Sequence, residues 1–282
     1  MLWVVQNNLY NEYGYKDFLN ALDRLGSNYT IVKPVPFSDI ILPPDFDSMT
    51  QEIEDVKEPY IDTNQKIVIC GALTLGRIAQ SRGWAPGTFL NENFDFVKWR
   101  DGFGRENLLN GDSVVTSVKD AECVHEYVFL RPTRDTKAFT GAVMSKDEFC
   151  RWKESIMSVA EQDFCPLHRD TPIMMSPAKK ILAEYRMFIV DGKIVTGSVY
   201  RQGTMGISHL NKLNGVLMPD ESVISMTQRM IDRWQPADAF VIDIAKTHDG
   251  LKVIEINNFN SSGFYSCDVY KIVDAIERLI DG

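Results

Sequence analysis

The sequence lacks long apolar runs, and it has few cysteines. No run approaches the roughly 20 residues that a membrane span needs, so we expect none. Residues 1–7 have no basic segment before their short apolar stretch, which predicts a first β-strand rather than a signal peptide. The five cysteines are odd in number and form no Cys-x-x-Cys pair. This pattern predicts reduced thiols and a cytoplasmic location.

Several familiar site patterns are also missing or incomplete. Cys165 and His168 have the spacing of half a zinc site, but no second pair of ligands accompanies them. Residues 71–77 lack the Gly-Lys-Ser/Thr ending of a phosphate loop and therefore predict a turn. The histidines show no catalytic spacing; they are His125, His168, His209 and His248.

Charge is unevenly distributed along an acidic chain. The net charge of −9 argues against general nucleic-acid binding, because the phosphate backbone attracts basic proteins. Residues 131–201 nevertheless hold 12 Lys and Arg against 9 Asp and Glu, a local balance of +3 that leaves −12 for the rest. This segment is either a receptor for an anionic ligand or an ordinary solvated surface.

The pattern of elements changes about a third of the way along the 282 residues. Alternating strand and helix signals in residues 1–105 predict a small parallel α/β domain. Within it, residues 34–64 are rich in Pro and Asp and predict a long connection. Residues 106–282 have the α+β pattern with antiparallel strands, which we divide into lobes at 106–180 and 181–282.

The individual elements follow from hydrophobic period and from start and stop signals. A capping box at Ser145 and Glu148 opens one of the helices. The predicted strands are 2–6, 29–33, 66–70, 114–118 and 126–130, with a hairpin at 183–200. The predicted helices are 15–25, one after Gly71 to about 82, 145–162, 220–234 and one from about 268.

The most informative segment is a hairpin near the C-terminus, which sets oxygen-bearing side chains among aliphatic residues. A loop at 248–250, with Gly250 in the left-handed region, predicts that Asp243 lies directly opposite Glu255. Asn257 then follows on the same face. Three such ligands suit Mg²⁺, which favours carboxylates together with the phosphates of a substrate.

Two other interpretations of this hairpin are open. A two-residue loop would place the two carboxylates on opposite faces of the hairpin, which weakens the metal hypothesis. Acid-bearing hairpins are also most often surface structures with solvated carboxylates.

Basic residues in the middle of the chain could contact phosphate groups. Arg131 ends a predicted strand in Arg-Pro, and Lys137 lies in the polar loop before residues 139–141. Cations at a strand end beside a glycine-containing loop can clamp phosphates, although most Arg-Pro pairs are turns. Lys179 or Lys180 could reach the same ligand from further along the chain.

The hairpin 183–200 carries a charged pair on a strand. A two-residue turn at 191–192 places Glu184 and Arg186 on one face with apolar neighbours. This pair is either part of a site or a half-buried structural ion pair.

Taken in chain order, these features resemble the ATP-grasp ligases, and most closely the clade that takes its name from one Arg and two Lys. The resemblance covers about residues 125–266. The matching motifs are Arg131-Pro with Lys137 and 139–141, Glu184-x-Arg186 with 191–193 and 197–200, and Asp243 with 255–265.

The resemblance implies a fold and an activity. The fold is an α/β N-terminal domain followed by an α+β ATP-grasp fold, whose two antiparallel-sheet lobes clasp a nucleotide. The activity is that of an ATP-dependent carboxylate–amine ligase, which forms an amide through an acyl phosphate and releases ADP and phosphate. The cofactors are ATP and Mg²⁺, and the substrates are small-molecule or peptide carboxylates and amines.

By motif match, the implied site residues fall into three groups. The nucleotide contacts are Arg131, Lys137, Lys179 (with Lys180 as the alternative), Glu184 and Arg186. The catalytic residues are Arg186 and Lys137. The metal ligands are Asp243, Glu255 and Asn257.

Two competing functions stay open at this stage. A metal-dependent nuclease also places Asp on one strand and Glu-x-Lys on the next, but Asn257 stands where such a site has its lysine. A nucleotide-binding protein without catalysis would share the same binding residues.

Overall fold

In a computed structural model, the structure describes residues 1–7, 14–134, 139–158, 167–206 and 218–282. Within these ranges the strands form three β-sheets, which are flanked by helices. The strands are β1 (Leu2–Gln6), β2 (Tyr29–Pro34), β3 (Ile41–Leu42), β4 (Ile67–Cys70), β5 (Pro86–Gly87), β6 (Val114–Ser117), β7 (Tyr127–Pro132), β8 (Ala142–Ser145), β9 (Pro172–Pro177), β10 (Ala183–Val190), β11 (Lys193–Gln202), β12 (Met205–Gly206), β13 (Ala239–Thr247) and β14 (Gly250–Asn258). The helices are α1 (Tyr15–Leu25), α2 (Leu73–Ser81), α3 (Phe96–Phe103), α4 (Lys146–Ser158), α5 (Glu221–Arg233) and α6 (Val269–Asp281).

The first sheet has the strand order β3-β2-β1-β4-β5. Strand β1 pairs in parallel with both β2 and β4, as the alternating strand and helix signals predict. The chain leaves β1 toward one edge of the sheet and leaves β4 toward the other, so a topological switch point lies between them. The short strands β3 and β5 and helix α3 were not predicted, because two-residue strands and irregular segments carry almost no periodic signal.

The second sheet has the order β6-β9-β7-β8, and all its pairings are antiparallel. Helix α4 packs against it through Phe149, which is buried in a cluster with Val128, Leu130 and Ile173. Strands β8 and β9 were missed by the sequence interpretation. The antiparallel character that we predicted for this region is confirmed.

The third sheet has the order β12-β11-β10-β13-β14, again with antiparallel neighbours. Strand β10 is buried along its whole length. Its side chains alternate regularly: Met187 and Ile189 belong to the cluster with α5, and Phe188 and Val190 belong to the cluster with α1 and α6. The predicted turn at residues 191–192 is present, since Val190 pairs with Lys193.

Local signals place the helix ends as predicted. Helix α1 ends at Gly26, whose φ of 69° lies in the left-handed region. The side chains of Asp220 and Asp268 accept hydrogen bonds from the first turns of α5 and α6. At α4, the Glu148 carboxylate accepts from the Ser145 N–H at 2.8 Å, and the Ser145 hydroxyl oxygen accepts from the Glu148 N–H at 3.3 Å. The predicted end of this helix, at about 162, lies outside the described residues.

The hydrophobic core crosses the predicted domain boundary at residue 105. One cluster joins Trp3 and Phe18 from the first sheet and α1 to Phe188 from the third sheet and Ile272 from α6. The division into domains and lobes therefore stays a proposal. No helix among the described residues is both long and apolar enough to cross a membrane.

Candidate functional site

The turn between β13 and β14 is shorter than the sequence predicts. Thr247 pairs with Gly250, so the turn consists of residues 248–249 rather than 248–250. Gly250 does have a positive φ, of 107°. With regular pairing beyond it, this two-residue turn would set Asp243 against the wrong neighbour.

A β-bulge in β14 corrects the pairing. Ile244 pairs with Val253 and Asp243 pairs with Glu255, so Ile254 is an extra residue in its strand. The predicted pairing of Asp243 with Glu255 is thus present, although its cause differs from the predicted one. Nothing in the local sequence distinguishes Ile254 from an ordinary strand residue.

The three predicted metal ligands converge at this bulge. The side-chain amide of Asn257 donates to Asp243 Oδ2 at 3.2 Å and to Glu255 Oε1 at 3.1 Å. One amide thus lies between two carboxylates, which repel each other unless a positive group lies close to both. This is the arrangement that the sequence predicts.

Arg186 and Asp243 form a buried ion pair across the neighbouring strands β10 and β13. Arg186 Nε donates to Asp243 Oδ1 at 3.0 Å, and Nη2 donates to Oδ2 at 2.7 Å. The third nitrogen, Nη1, donates to the carbonyl oxygen of Gly263 at 3.0 Å. Such a fork holds both groups in one orientation. Glu184 and Arg186 do not pair with each other, so the structural ion pair considered for them is absent.

Burial and pairing act in opposite directions on this pair. Burial raises the pKa of Asp243 to about 6, while the charge and hydrogen bonds of Arg186 act to lower it. At pH 7 the carboxylate is therefore ionised. Burial by itself would lower the pKa of the Arg186 guanidinium, but Asp243 holds that pKa above its ordinary value.

Two tyrosines fix the guanidinium from the side. The Arg186 Cζ atom lies 4.5 Å from the ring centroid of Tyr265 and 5.6 Å from that of Tyr200, and the two rings stack at 4.7 Å. The Tyr200 hydroxyl donates to Glu184 Oε2 at 2.7 Å. The sequence interpretation assigned no site role to either tyrosine. Aromatic residues on a strand and after a loop are usually core residues, so no sequence signal distinguished them.

A nearby thiol plays no visible part in this chemistry. Cys267 is buried beside the Ser198 hydroxyl, at 3.3 Å between Sγ and Oγ. Burial raises the pKa of the Cys267 thiol to about 12, so it is protonated at neutral pH and is a poor nucleophile.

A cleft of about 520 Å³ lies between the second and third sheets, beside the three oxygen ligands. Five of the sequence-predicted residues line it: Arg131, Lys179, Glu184, Glu255 and Asn257. Arg186 and Asp243 do not line the cleft and lie beneath its wall, where Asn257 connects Asp243 to it. Lys180 is exposed and does not line the cleft. Lys137 lies outside the described residues.

Each cation at the cleft is matched by a carboxylate. Arg131 pairs with Glu255, and Lys179 pairs with Asp112. Arg201, which the sequence interpretation did not single out, pairs with Glu184 at 2.9 Å. The cleft therefore holds mobile basic side chains beside acidic ones, a combination that suits a ligand with both phosphates and a cation.

The donor set at the bulge fits Mg²⁺ in its chemistry. No group of three His, Cys, Asp or Glu gathers as a metal site in the described part of the chain. Here, however, the third candidate ligand is an amide, and two carboxylates converge on it. Hard oxygen donors of few protein groups are typical of sites where Mg²⁺ also binds phosphates.

Comparison with known proteins bears on the whole chain. The model of a protein family described as an ATP-grasp domain, the third family of its clade, matches residues 50–276. Among curated protein sequences, none matches this chain.

Solved structures resemble the fold over the full length. The chain is similar to the D-cycloserine synthetase DcsG, with a TM-score of 0.60 and 11% identity over 99% of this chain and 100% of that one. It is similar to the D-alanine–D-alanine ligase from Bacillus anthracis complexed with ATP, with a TM-score of 0.57 and 13% identity over 99% and 98%. It is also similar to the macrocyclase MdnC from Microcystis aeruginosa MRC, bound with the precursor peptide MdnA, with a TM-score of 0.55 and 11% identity over 100% of each chain. These likenesses establish the predicted fold class.

Proposed function

Because this chain belongs to the ATP-grasp family, we propose that it is an ATP-dependent ligase that joins a carboxylate to an amine. One observation carries the proposal. Basic residues from the second-sheet side, Arg131 and Lys179, share a cleft with Glu255 and Asn257 from the third sheet. A cleft of about 520 Å³ between two sheets is within the usual size of a small-molecule site.

The proposed nucleotide contacts follow from this cleft. Arg131 and Lys179 contact the phosphates, and Glu184 lies toward the adenosine. Together with Lys137, the first two are the one Arg and two Lys of the clade. The position of Lys179 in the cleft wall, against the exposed Lys180, supports the choice of Lys179. In the proposed complex, phosphates replace the carboxylates that Arg131 and Lys179 contact here.

Asp243, Glu255 and Asn257 are the proposed Mg²⁺ ligands. When bound, the ion neutralises charge on the phosphates of ATP. The amide of Asn257 presents a hydrogen to each carboxylate in this structure, so binding of a cation requires the amide to turn its oxygen toward it. Asp243 is fully buried, which makes it the innermost member of the set.

The proposed reaction has two steps. The substrate carboxylate attacks the γ-phosphoryl group of ATP, the bond to the ADP oxygen breaks, and an acyl phosphate and ADP result. The amine then attacks the acyl carbon, loses a proton and displaces phosphate, which leaves an amide. Arg186 and Lys137 are the proposed catalytic residues. Their fixed or nearby positive charge stabilises negative charge on the transferring group.

The cell compartment belongs to the same proposal. The four cysteines in the described residues are all free thiols, which supports a reducing, cytoplasmic setting.

ADP release tests the function directly. Purified protein with ATP and Mg²⁺ is screened against pairs of carboxylates and amines, and the product is identified by mass spectrometry. We expect ADP release that depends on both substrates and a product lighter by one water than their sum. Glu255→Gln is expected to lower the rate about 10²-fold, the scale for one lost electrostatic contact.

Glu122→Gln is the matched control, because Glu122 is exposed and lies outside the cleft lining. ATP binding without ADP release under any pair would favour a non-catalytic nucleotide-binding protein. Plasmid cleavage with Mg²⁺ and no ATP would favour the nuclease.

A further inference from the structure

A second cavity, of about 300 Å³, lies at the switch point of the first sheet. Its floor includes Gly71 to Thr74, where β4 ends and α2 begins, and its far wall includes Ser261, Ser262 and Phe264. In open α/β sheets, ligands bind outside the carboxyl ends of the strands at such a point. None of the residues of this cavity lines the larger cleft.

The beginning of α2 offers unused hydrogen-bond donors to this cavity. The helix has no side-chain cap, and the N–H of its N-cap residue Ala72 donates to Gln6 Oε1 at 2.8 Å. Leu73 and Thr74, whose N–H groups belong to the first turn, line the cavity. The first N–H groups of a helix have no partner within the helix and attract negative charge.

One cation and one buried hydroxyl face the same space. Arg77 is the only charged residue in the described lining, and it forms no ion pair with any described residue. It lies one helical turn after Leu73. Tyr15 lines the opposite wall and is 4% exposed, and its hydroxyl has no hydrogen-bond partner within the described ranges. A buried hydroxyl without a partner is costly and indicates a group that a ligand satisfies.

The segment after Asn257 connects this cavity to the proposed reaction centre. Asn257 lines the larger cleft, and Ser261 and Ser262 line the smaller one. Between Ser262 and Phe264, the carbonyl of Gly263 accepts a hydrogen bond from Arg186. A small molecule held in the smaller cavity therefore lies next to the same short segment that contacts Arg186.

We infer that this cavity binds a free amino acid through its carboxylate, which Arg77, the N–H groups of Leu73 and Thr74, and the Tyr15 hydroxyl hold. A single arginine balances a single negative charge, and the rings of Tyr15 and Phe264 suit an organic body better than an inorganic anion. A carboxylate with this many donors is a poor nucleophile, so it is an anchor rather than the reacting group. As the acceptor of the ligase the amino acid offers its amine, and this role rests on the proposed function.

The test of binding uses no nucleotide. The full chain is melted with each of the twenty common amino acids and their D enantiomers at about 10 mM, and with the matching amino-acid amides. At least one amino acid is expected to raise the melting temperature by roughly 2 °C, whereas its amide does not. Arg77→Ala is expected to weaken that affinity at least tenfold and to abolish the shift. Tyr15→Phe is expected to reduce the shift without lowering the melting temperature of the free protein.

Gln80→Ala is the matched control, because Gln80 is exposed on the same helix outside the cavity. The inference is overturned if no amino acid shifts the melting temperature, if amides act equally, or if Arg77→Ala shows the full shift. Binding that depends on Arg77 without any ADP release would uphold the inference and contradict the ligase. Amine-dependent ADP release whose KM for the amine is unchanged in Arg77→Ala would do the reverse.

Discussion

Arg186 is held by more contacts than any single structural role requires. Its three nitrogen donors reach Asp243 twice and Gly263 once, and the ring of Tyr265 covers one face. A guanidinium in such a frame cannot follow a moving ligand, so its charge acts from one position. Preorganised charge of this kind is the most effective means by which proteins stabilise a transition state.

Substitution of Arg186 tests this role. Arg186→Ala is expected to lower ADP release at least about 10²-fold. It also leaves Asp243 buried without its partner, which is expected to cost about 3–5 kcal/mol of unfolding free energy. Arg186→Lys keeps the charge but loses the fork, so it separates the two effects by retaining more stability while lowering turnover.

Turnover and urea unfolding are measured together on these variants. Arg278→Ala is the control, because Arg278 has a side chain that is 79% exposed and pairs only on the surface of α6. Unchanged ADP release in a folded Arg186→Ala variant would remove Arg186 from the mechanism.

At the scale of elements, the hairpin β13–β14 separates the turn from the site. The turn closes between Thr247 and Gly250, and the bulge at Ile254 then shifts the pairing by one residue. Because side chains alternate between faces, this shift brings Glu255 opposite Asp243. The bulge therefore determines which oxygens meet, and the turn determines how the chain reverses.

Gly250→Ala distinguishes these two contributions. With a φ of 107°, residue 250 is strained by any side chain, although a Cβ there meets no atom within 4 Å. We expect a loss of about 1–3 kcal/mol of unfolding free energy with ADP release retained. Gly206→Ala is the control, because Gly206 has equal space and no positive φ. A folded Gly250→Ala variant without ADP release would show that the turn sets the register.

At the scale of the whole molecule, one side chain ties the first sheet to the third. The Asn260 side-chain amide accepts from the Phe89 N–H at 2.8 Å and donates to the Ile69 carbonyl at 2.7 Å. The Asn260 backbone carbonyl accepts from the Gly71 N–H at 2.9 Å. These contacts place the beginning of α2 beside the segment that carries the proposed metal ligands.

Loss of the Asn260 side chain is expected to weaken the whole fold. Asn260→Ala leaves a buried N–H and a buried carbonyl without their partner, which costs about 2–4 kcal/mol by urea unfolding. Asn64→Ala, at an exposed amide, is expected to be nearly neutral. A neutral Asn260→Ala variant would mean that the aromatic core around Phe18 and Phe264 alone joins the two parts.

The sequence was a good guide where structure depends on near neighbours. The helix signals at Gly26, Ser145 and Asp268 are local hydrogen-bonding or conformational effects, and each is present. The oxygen-bearing residues of the C-terminal hairpin could be recognised because carboxylates among aliphatic residues are unusual. Strands β8 and β9 escaped, because short segments carry too little period to identify.

By itself the sequence determined the fold class and brought Asp243, Glu255 and Asn257 under suspicion, because alternation along a strand is a property of the backbone alone. Tertiary structure decided the rest. The bulge at Ile254 and the pairing of Arg186 with Asp243, which are 57 residues apart, depend on how strands from different hairpins pack. Which charge meets which is a matter of distance and burial, and both come into existence only when the sheets close on one another.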